Sequence, residues 1–265
     1  MITKLNNPYH KDIELSVIKT IKEHCGIDEI KSLNYLQDEI SKEWFDYASK
    51  PVDEQGKIKH NVYGGQTKIA TKLYLLNENN PTYIKLLQYI SYELDIDFYF
   101  QRTATLRFHK YGFDGNYYFH NDSNTFDQHI DQLNVFVPIT TKHTYFSILS
   151  WPFTWMMYKL SNNDLTKFDD TLHISNKKIY RKLCYLLSTK YYDLEDMLIW
   201  DSNKHIHTAL PRNNTNRVSF DFRILPKQHT EVYGTNEHHP YRRKTFIYKP
   251  GDFYSSKTIR ELDVL

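Results

Sequence analysis

Residues 207–223 read HTALPRNNTNRVSFDFR, and the reading of this stretch decides the fold of the second half of the chain. From Arg217 onward, Val218, Phe220 and Phe222 alternate with Ser219, Asp221 and Arg223, the two-residue period of a β-strand with one apolar face. The preceding PRNNTN is dense in turn-forming residues. It separates this strand from His207, which stands ten residues before Arg217.

Working outward, the same strand signals recur. FYFQRTATLRFHKYG (98–112) is a β-type run ended by Gly112, and QLNVFVPIT (132–140) and YFSILSWPF (145–153) are further strand candidates. DMLIWD (196–201) precedes a polar turn. SNKKIYRKLCYLLSTKYY (175–192), with Ile179, Leu183, Leu186 and Leu187, reads as an inserted helix. Trp151, Phe153, Trp155 and Met156, in SILSWPFTWMMYKL, read as core, lid or the apolar wall of a substrate pocket.

The first hundred residues read differently. HKDIELSVIKTIKEH (10–24) and DEIKSLNYLQDEISKEWFDYAS (28–49) carry apolar residues at helical spacing, and PTYIKLLQYISYEL (81–94) starts with a proline suited to a first helical turn. VDEQGKIKHNVYGGQTK (52–68) reads as a loop. Helices followed by antiparallel strands predict an α+β protein with a β-sandwich or jelly-roll core. The expected organisation is one domain over residues 1–265: a mainly helical part (1–96), a β core with a helical insert (97–226) and a basic tail (227–265). Within the tail, PGDFYSS is placed to fold back over a site mouth.

Composition narrows the function. A formal net charge of +2 provides no strong field toward nucleic acid or acidic membranes. Glycine is scarce, at 8 residues, and neither GxGxxG nor GxxxxGK[ST] occurs. Cys25 and Cys184 form no closely spaced set, so a disulfide scaffold or zinc finger is not expected. The N-terminal residues lack the apolar core of a signal peptide, and no apolar run approaches the ~18 residues of a membrane span. The expectation is a soluble, cytoplasmic protein.

The chemistry concentrates in two places. In YFHNDS (118–123), His120 and Asp122 are two residues apart at the end of an aromatic run, a spacing that puts both on one face of a strand. They read as half of a metal site or as an ordinary polar pair at a strand end; a later histidine would complete the two-histidine, one-carboxylate triad of iron(II) sites, which leaves half the coordination sphere open. His205 and His207 both qualify, and the ten-residue interval to Arg217 favours His207. Arg217 suits a bidentate grip on a carboxylate. Asn134 and Gln132 share one face of their strand, either facing an interior site or facing solvent; Arg107 points either into the core or outward. The remaining histidines considered, His109, His129, His143 and His173, read as surface or satisfied groups.

Three segments together, LRFHKYGFDGNYYFHND (106–122), QLNVFVPIT and HTALPRNNTNRVSFDFR, resemble the iron(II)- and 2-oxoglutarate-dependent dioxygenases. The likeness is to the phytanoyl-CoA-dioxygenase-like branch, and within it to the streptomycin-biosynthesis type. It covers roughly residues 100–225 and implies a double-stranded β-helix, the jelly-roll variant of that family. It also implies that His120, Asp122 and His207 bind Fe(II), and that Arg217 with Ser219 and Asn134 binds 2-oxoglutarate. Arg107, Gln132 and Trp151 are the substrate-side candidates. The implied reaction consumes O2, releases succinate and CO2, and hydroxylates a small metabolite such as a sugar, aminocyclitol or amino acid. Retention of Asp122 favours oxygenation over halogenation. The competing class is a metal- or sugar-binding jelly roll or an isomerase, which would need the histidines but not Arg217.

Overall fold

The computed structural model describes residues 2–25, 77–109, 119–120, 132–140, 144–160, 177–192, 196–202, 204–211, 217–229, 251 and 254–262. These residues form a mixed structure of helices and antiparallel sheets. The large sheet contains β1 (Ile2–Leu5), β7 (Met197–Trp200), β4 (Leu133–Pro138), β9 (Arg217–Pro226) and β2 (Phe98–Phe100) in that order, with β3 (Thr105–His109) also paired to β9. The small sheet runs β6 (Thr189–Tyr192), β5 (Thr144–Ile148), β8 (His207–Pro211). His120 extends it beyond β8 through an isolated antiparallel bridge to His207.

β9 organises the large sheet because it is long enough to pair along both edges. One edge takes β4, with Asn134 opposite Arg223 and Phe136 opposite Asp221. The other takes β2 at its far end and β3 at its near end, where Arg107 lies opposite Ser219 and His109 opposite Arg217. The alternation read from the sequence sorts its side chains. Val218, Phe220, Phe222 and Ile224 join Val135, Val137, Met197 and Ile199 in the main core.

Two helices cover that face. α1 (His10–Cys25) contributes Ile13 and Val17. α2 (Pro81–Leu94) buries Tyr83, Ile84, Leu86, Leu87 and Ile90, the i, i+3, i+4, i+7 stripe of an amphipathic helix. Its start is fixed by Asn80, whose side chain accepts from the Thr82 and Tyr83 amides, and by Pro81 in the first turn. It ends at Asp95 in the left-handed conformation, φ 48°. The opposite face of the large sheet meets the small sheet through Phe136, Leu198, Trp200, Phe146 and Ile148. The large sheet is therefore covered on both sides.

α3 (Trp151–Leu160) and α4 (Lys177–Leu187) back the other face of the small sheet, where Met157, Tyr158 and Cys184 pack with Phe119, Leu149 and Ile206. Burial lifts the Cys184 thiol to about 12.

Several expectations change. Residues 2–5, expected to precede a helix, form β1, pairing with β7 from Ile2 opposite Trp200 to Leu5 opposite Met197. The run 98–112 divides into β2 and β3. The strand proposed over 145–153 ends at Ile148, and Trp151 opens α3. In α4 the inward side is Cys184 with Tyr180 and Leu183, while Ile179 and Leu186 are exposed. In the expected basic tail, Tyr254 is buried. The expected helix over 28–49 and the loop over 52–68 lie outside the described residues. No described helix is long and apolar enough to cross a membrane.

Candidate metal centre

The site grows from the bridge that ties residue 120 to β8. The His120 amide donates to the His207 carbonyl at 2.9 Å, and the His207 amide donates back to His120 at 2.8 Å. Paired residues in an antiparallel ladder project their side chains to the same face, and the two imidazoles stand 4.4 Å apart between centroids. The neighbours Phe119 and Ile206 alternate to the opposite, helix-covered face.

His207 faces the space between the sheets. Its ring stacks on Phe146 at 6.0 Å and meets the edge of Trp200 at 5.2 Å. Its Nδ1 lies 3.0 Å from the carbonyl of His205. A carbonyl only accepts, so Nδ1 carries the proton and Nε2 carries the lone pair. Metal-binding histidines are oriented by this kind of outer hydrogen bond.

His205 sits differently. Its Nδ1 is 2.8 Å from the carbonyl of Leu149, and burial is the first cause that holds its pKa below the ordinary histidine value. The ring that accompanies His120 is therefore that of His207.

The inner face of the large sheet is unexpectedly polar. Register places Trp200, Asn134 and Arg223 in one row across β7, β4 and β9. Ser219 and Asp221 share the inner face of β9 with Arg223. Arg223 Nη1 donates to Asp221 Oδ2 at 2.8 Å, with both side chains less than 10% exposed. Ser219 Oγ and Trp200 Nε1 are buried with no hydrogen-bond partner among the described residues. Gln132 is fully buried, and its Oε1 accepts from Tyr254 Oη at 2.6 Å.

Of the sequence candidates, His120 and His207 are brought together. Gln132, Asn134 and Ser219 line the interior, so the solvent-facing reading of Gln132 and Asn134 is set aside. Arg107 lies opposite Ser219 in the ladder, and Arg217 opens β9 opposite His109. Trp151 is 38% exposed on α3, the helix behind the small sheet. Asp122, His129, His143 and His173 lie outside the described residues, among which no group of three or more His, Cys, Asp or Glu is assembled to hold a metal. Sequence reading missed Trp200, Asp221, Arg223 and Tyr254 as residues around the site. The alternation put Asp221 and Arg223 on one face of β9, but the small sheet that covers this face is a fact of tertiary packing.

No family model matches this sequence, and no curated protein matches it. Among solved structures the chain is similar to a non-heme monooxygenase, the ThoJ–nickel complex, at 10% identity and a TM-score of 0.37, covering 85% of this chain and 73% of that one. It is also similar to the non-heme α-ketoglutarate-dependent epimerase SnoN from nogalamycin biosynthesis, at 11% identity and a TM-score of 0.37, covering 68% and 70%. A third likeness is to the carbocyclase SnoK from the same biosynthesis, at 9% identity and a TM-score of 0.39, covering 72% and 73%.

Proposed function

We propose that this chain is an iron(II)- and 2-oxoglutarate-dependent oxygenase with a double-stranded β-helix core. It hydroxylates a small metabolite (a sugar, aminocyclitol or amino acid) and releases succinate and CO2. The observation that carries this reading is the pair of adjacent imidazoles, His120 and His207, locked together by reciprocal backbone hydrogen bonds. The strand order supports the core: β3, β9, β4 and β7 face residue 120, β8, β5 and β6 across the interior, and the chain passes repeatedly between the two sheets. Repeated passage between two facing sheets is what a jelly roll requires, and it supports this reading.

The residues fit the implied metal. His207 offers Nε2 because its Nδ1 is committed to a carbonyl, and Asp122, two positions after His120, would supply the carboxylate of the triad. Iron(II) with a bound 2-oxo acid supplies the oxidising chemistry that no side chain can. The protein's share is to bind, orient and exclude water. Arg217 would hold the distal carboxylate of 2-oxoglutarate through two parallel hydrogen bonds, with Ser219 Oγ and the Asn134 amide as further polar contacts on the inner face. Gln132, bonded to Tyr254, and Arg107, opposite Ser219 in the ladder, are the substrate-side candidates. Phe136, Phe146, Leu198 and Trp200 would supply the apolar part of the space between the sheets and help to exclude water.

An anaerobic titration with iron(II) and 2-oxoglutarate tests the reading. A weak visible charge-transfer band that needs both components, and is lost in His207→Ala and Arg217→Ala, is the expected result. Absence of the band from protein that binds zinc tightly would overturn it in favour of a non-oxygenase metal-binding jelly roll.

A further inference from the structure

The inner face of β9 carries an ion pair to which the proposed chemistry assigns no task. Asp221 and Arg223 are paired at 2.8 Å and buried between the sheets. Arg223 is opposite Asn134, Asn134 is opposite Trp200, and Trp200 touches His207. With strands ~4.8 Å apart, the Arg223 backbone lies roughly 10 Å from that of Trp200, within reach of a small molecule beside the histidine pair. Tyr254 closes the far side of this row. It packs on Leu225, two residues beyond Arg223, and bonds to Gln132, two residues before Asn134.

Holding two sheets together does not require such a wall. Removing two charges from water is expensive, and an apolar pair of the same volume would pack the sheets at least as well. A guanidinium has five N–H donors in a rigid fork, so one Arg can hold Asp221 and a ligand carboxylate together. Asp221 in turn can accept from an ammonium. A neutral sugar would match neither charge, and an aminocyclitol would offer Asp221 an ammonium but Arg223 no anion.

Arg217 occupies a different level. It opens β9 six residues earlier, roughly 20 Å along the strand from Arg223. The two arginines therefore suit two different anions.

We propose that Arg223 and Asp221 form the head-group subsite for the substrate, and that the substrate is a free α-amino acid. Its carboxylate is held by Arg223 and its ammonium by Asp221. This inference rests on the oxygenase reading for its chemistry and narrows it to one substrate class.

The test is saturation-transfer NMR on the full chain with pools of the common L-amino acids, with and without nickel(II) and 2-oxoglutarate. Methyl esters and N-acetyl derivatives of the same amino acids, glucose and myo-inositol serve as comparison probes. At least one free amino acid should bind, and blocking either its carboxylate or its ammonium should weaken binding at least ~10-fold. Arg223→Lys should weaken it about 10-fold or more while leaving the affinity for 2-oxoglutarate unchanged. The charge-free double variant Asp221→Asn/Arg223→Met, which adds no bulk, should fold and lose the interaction.

The proposal is overturned if no free amino acid binds, if esters and N-acetyl forms bind equally well, if the double variant binds like the parent, or if Arg223→Lys weakens 2-oxoglutarate instead. The iron and 2-oxoglutarate band, recorded on the same preparations, separates the two readings. A band without amino-acid binding sinks the head-group subsite and leaves the oxygenase standing. Amino-acid binding without a band keeps the subsite and removes the oxygenase.

Discussion

His120 and His207 exchange both of their backbone hydrogen bonds, at 2.9 and 2.8 Å, so the two imidazoles are held 4.4 Å apart by main chain and not by side-chain packing alone. Substituting either ring should leave the bridge in place and remove a proposed metal ligand. His120→Ala and His207→Ala should each lower affinity for iron(II) beyond the roughly 10–100-fold that loss of an outer partner costs. His205→Ala should leave one protein ligand more than His207→Ala does, and should show as a lowered melting temperature because the Leu149 carbonyl loses its partner. Anaerobic calorimetric titration separates them. Equal loss in His205→Ala and full retention in His207→Ala would exchange the two assignments.

Trp200 offers an optical reporter of the same centre. Its indole meets the His207 ring at 5.2 Å and is almost fully buried. A paramagnetic ion on His207 should therefore quench its emission, as a blue-shifted component of the total. Titration with iron(II) or nickel(II) is expected to remove that component, and Trp200→Phe should abolish the change while keeping most of the packing. Quenching that persists unchanged in Trp200→Phe would place the metal elsewhere.

What the sequence revealed and what it concealed follow from the range of the interactions involved. The alternation of Val218, Phe220 and Phe222 is local and was legible, as was the Pro81 start of α2. β1 was concealed because four residues, ITKL, carry too little period, and their partner β7 is nearly the whole chain away. Trp151 and Phe153 are aromatic enough to prolong a strand pattern, yet they open a helix that leaves them partly exposed. Polar alternation normally marks a solvent face. Ser219, Asp221 and Arg223 break that rule because helices cover one side of the large sheet and the small sheet covers the other, a fact of tertiary packing. The histidine pair was legible as residue types and spacing. Spacing to Arg217 already favoured His207 over His205; the hydrogen-bonded tautomer, and the contact of the His207 ring with that of His120, needed the fold.

The main core can be tested through Tyr83. Its ring meets Phe222 edge-on at 5.2 Å and Phe100 at 6.1 Å, and its hydroxyl donates to the Gln101 carbonyl at 2.8 Å. Tyr83→Phe should cost about 1 kcal/mol, the usual worth of one hydrogen bond. Phe222→Ala should cost about 3–5 kcal/mol through the cavity it leaves. Urea unfolding of the metal-free protein measures both, and a smaller loss for Phe222→Ala than for Tyr83→Phe would contradict the packing described.

Cys184 gives a pH-dependent expectation. Burial raises its thiol from 9.0 to about 12. A raised folded pKa favours the protonated, folded form. Its contribution is therefore intact below about 9 and is lost progressively as pH climbs toward 12. In a Cys25→Ser background, alkylation at pH 8 should be slow in native protein and fast in urea. Rapid labelling without denaturant would mean that the thiol is not buried behind α3 and α4.

The C-terminal segment closes the interior at Tyr254, and its geometry shows why one glycine matters there. Gly251 adopts φ 81°, a left-handed conformation that other residues enter at a cost. Its amide donates to the Tyr254 carbonyl at 2.9 Å, while its own carbonyl accepts from Arg102 at 2.6 Å. From that turn the chain inserts Tyr254 against Leu225 and delivers its hydroxyl to Gln132. Tyr254→Phe should cost about 1–3 kcal/mol because a buried hydrogen bond is lost without a change of shape. Gly251→Ala should cost about 1 kcal/mol by straining the turn. The two changes act through one contact, so the double variant should lose less than the sum of the single losses. Denaturation midpoints of the three variants decide it: strict additivity would mean that Gly251 does not act by placing Tyr254.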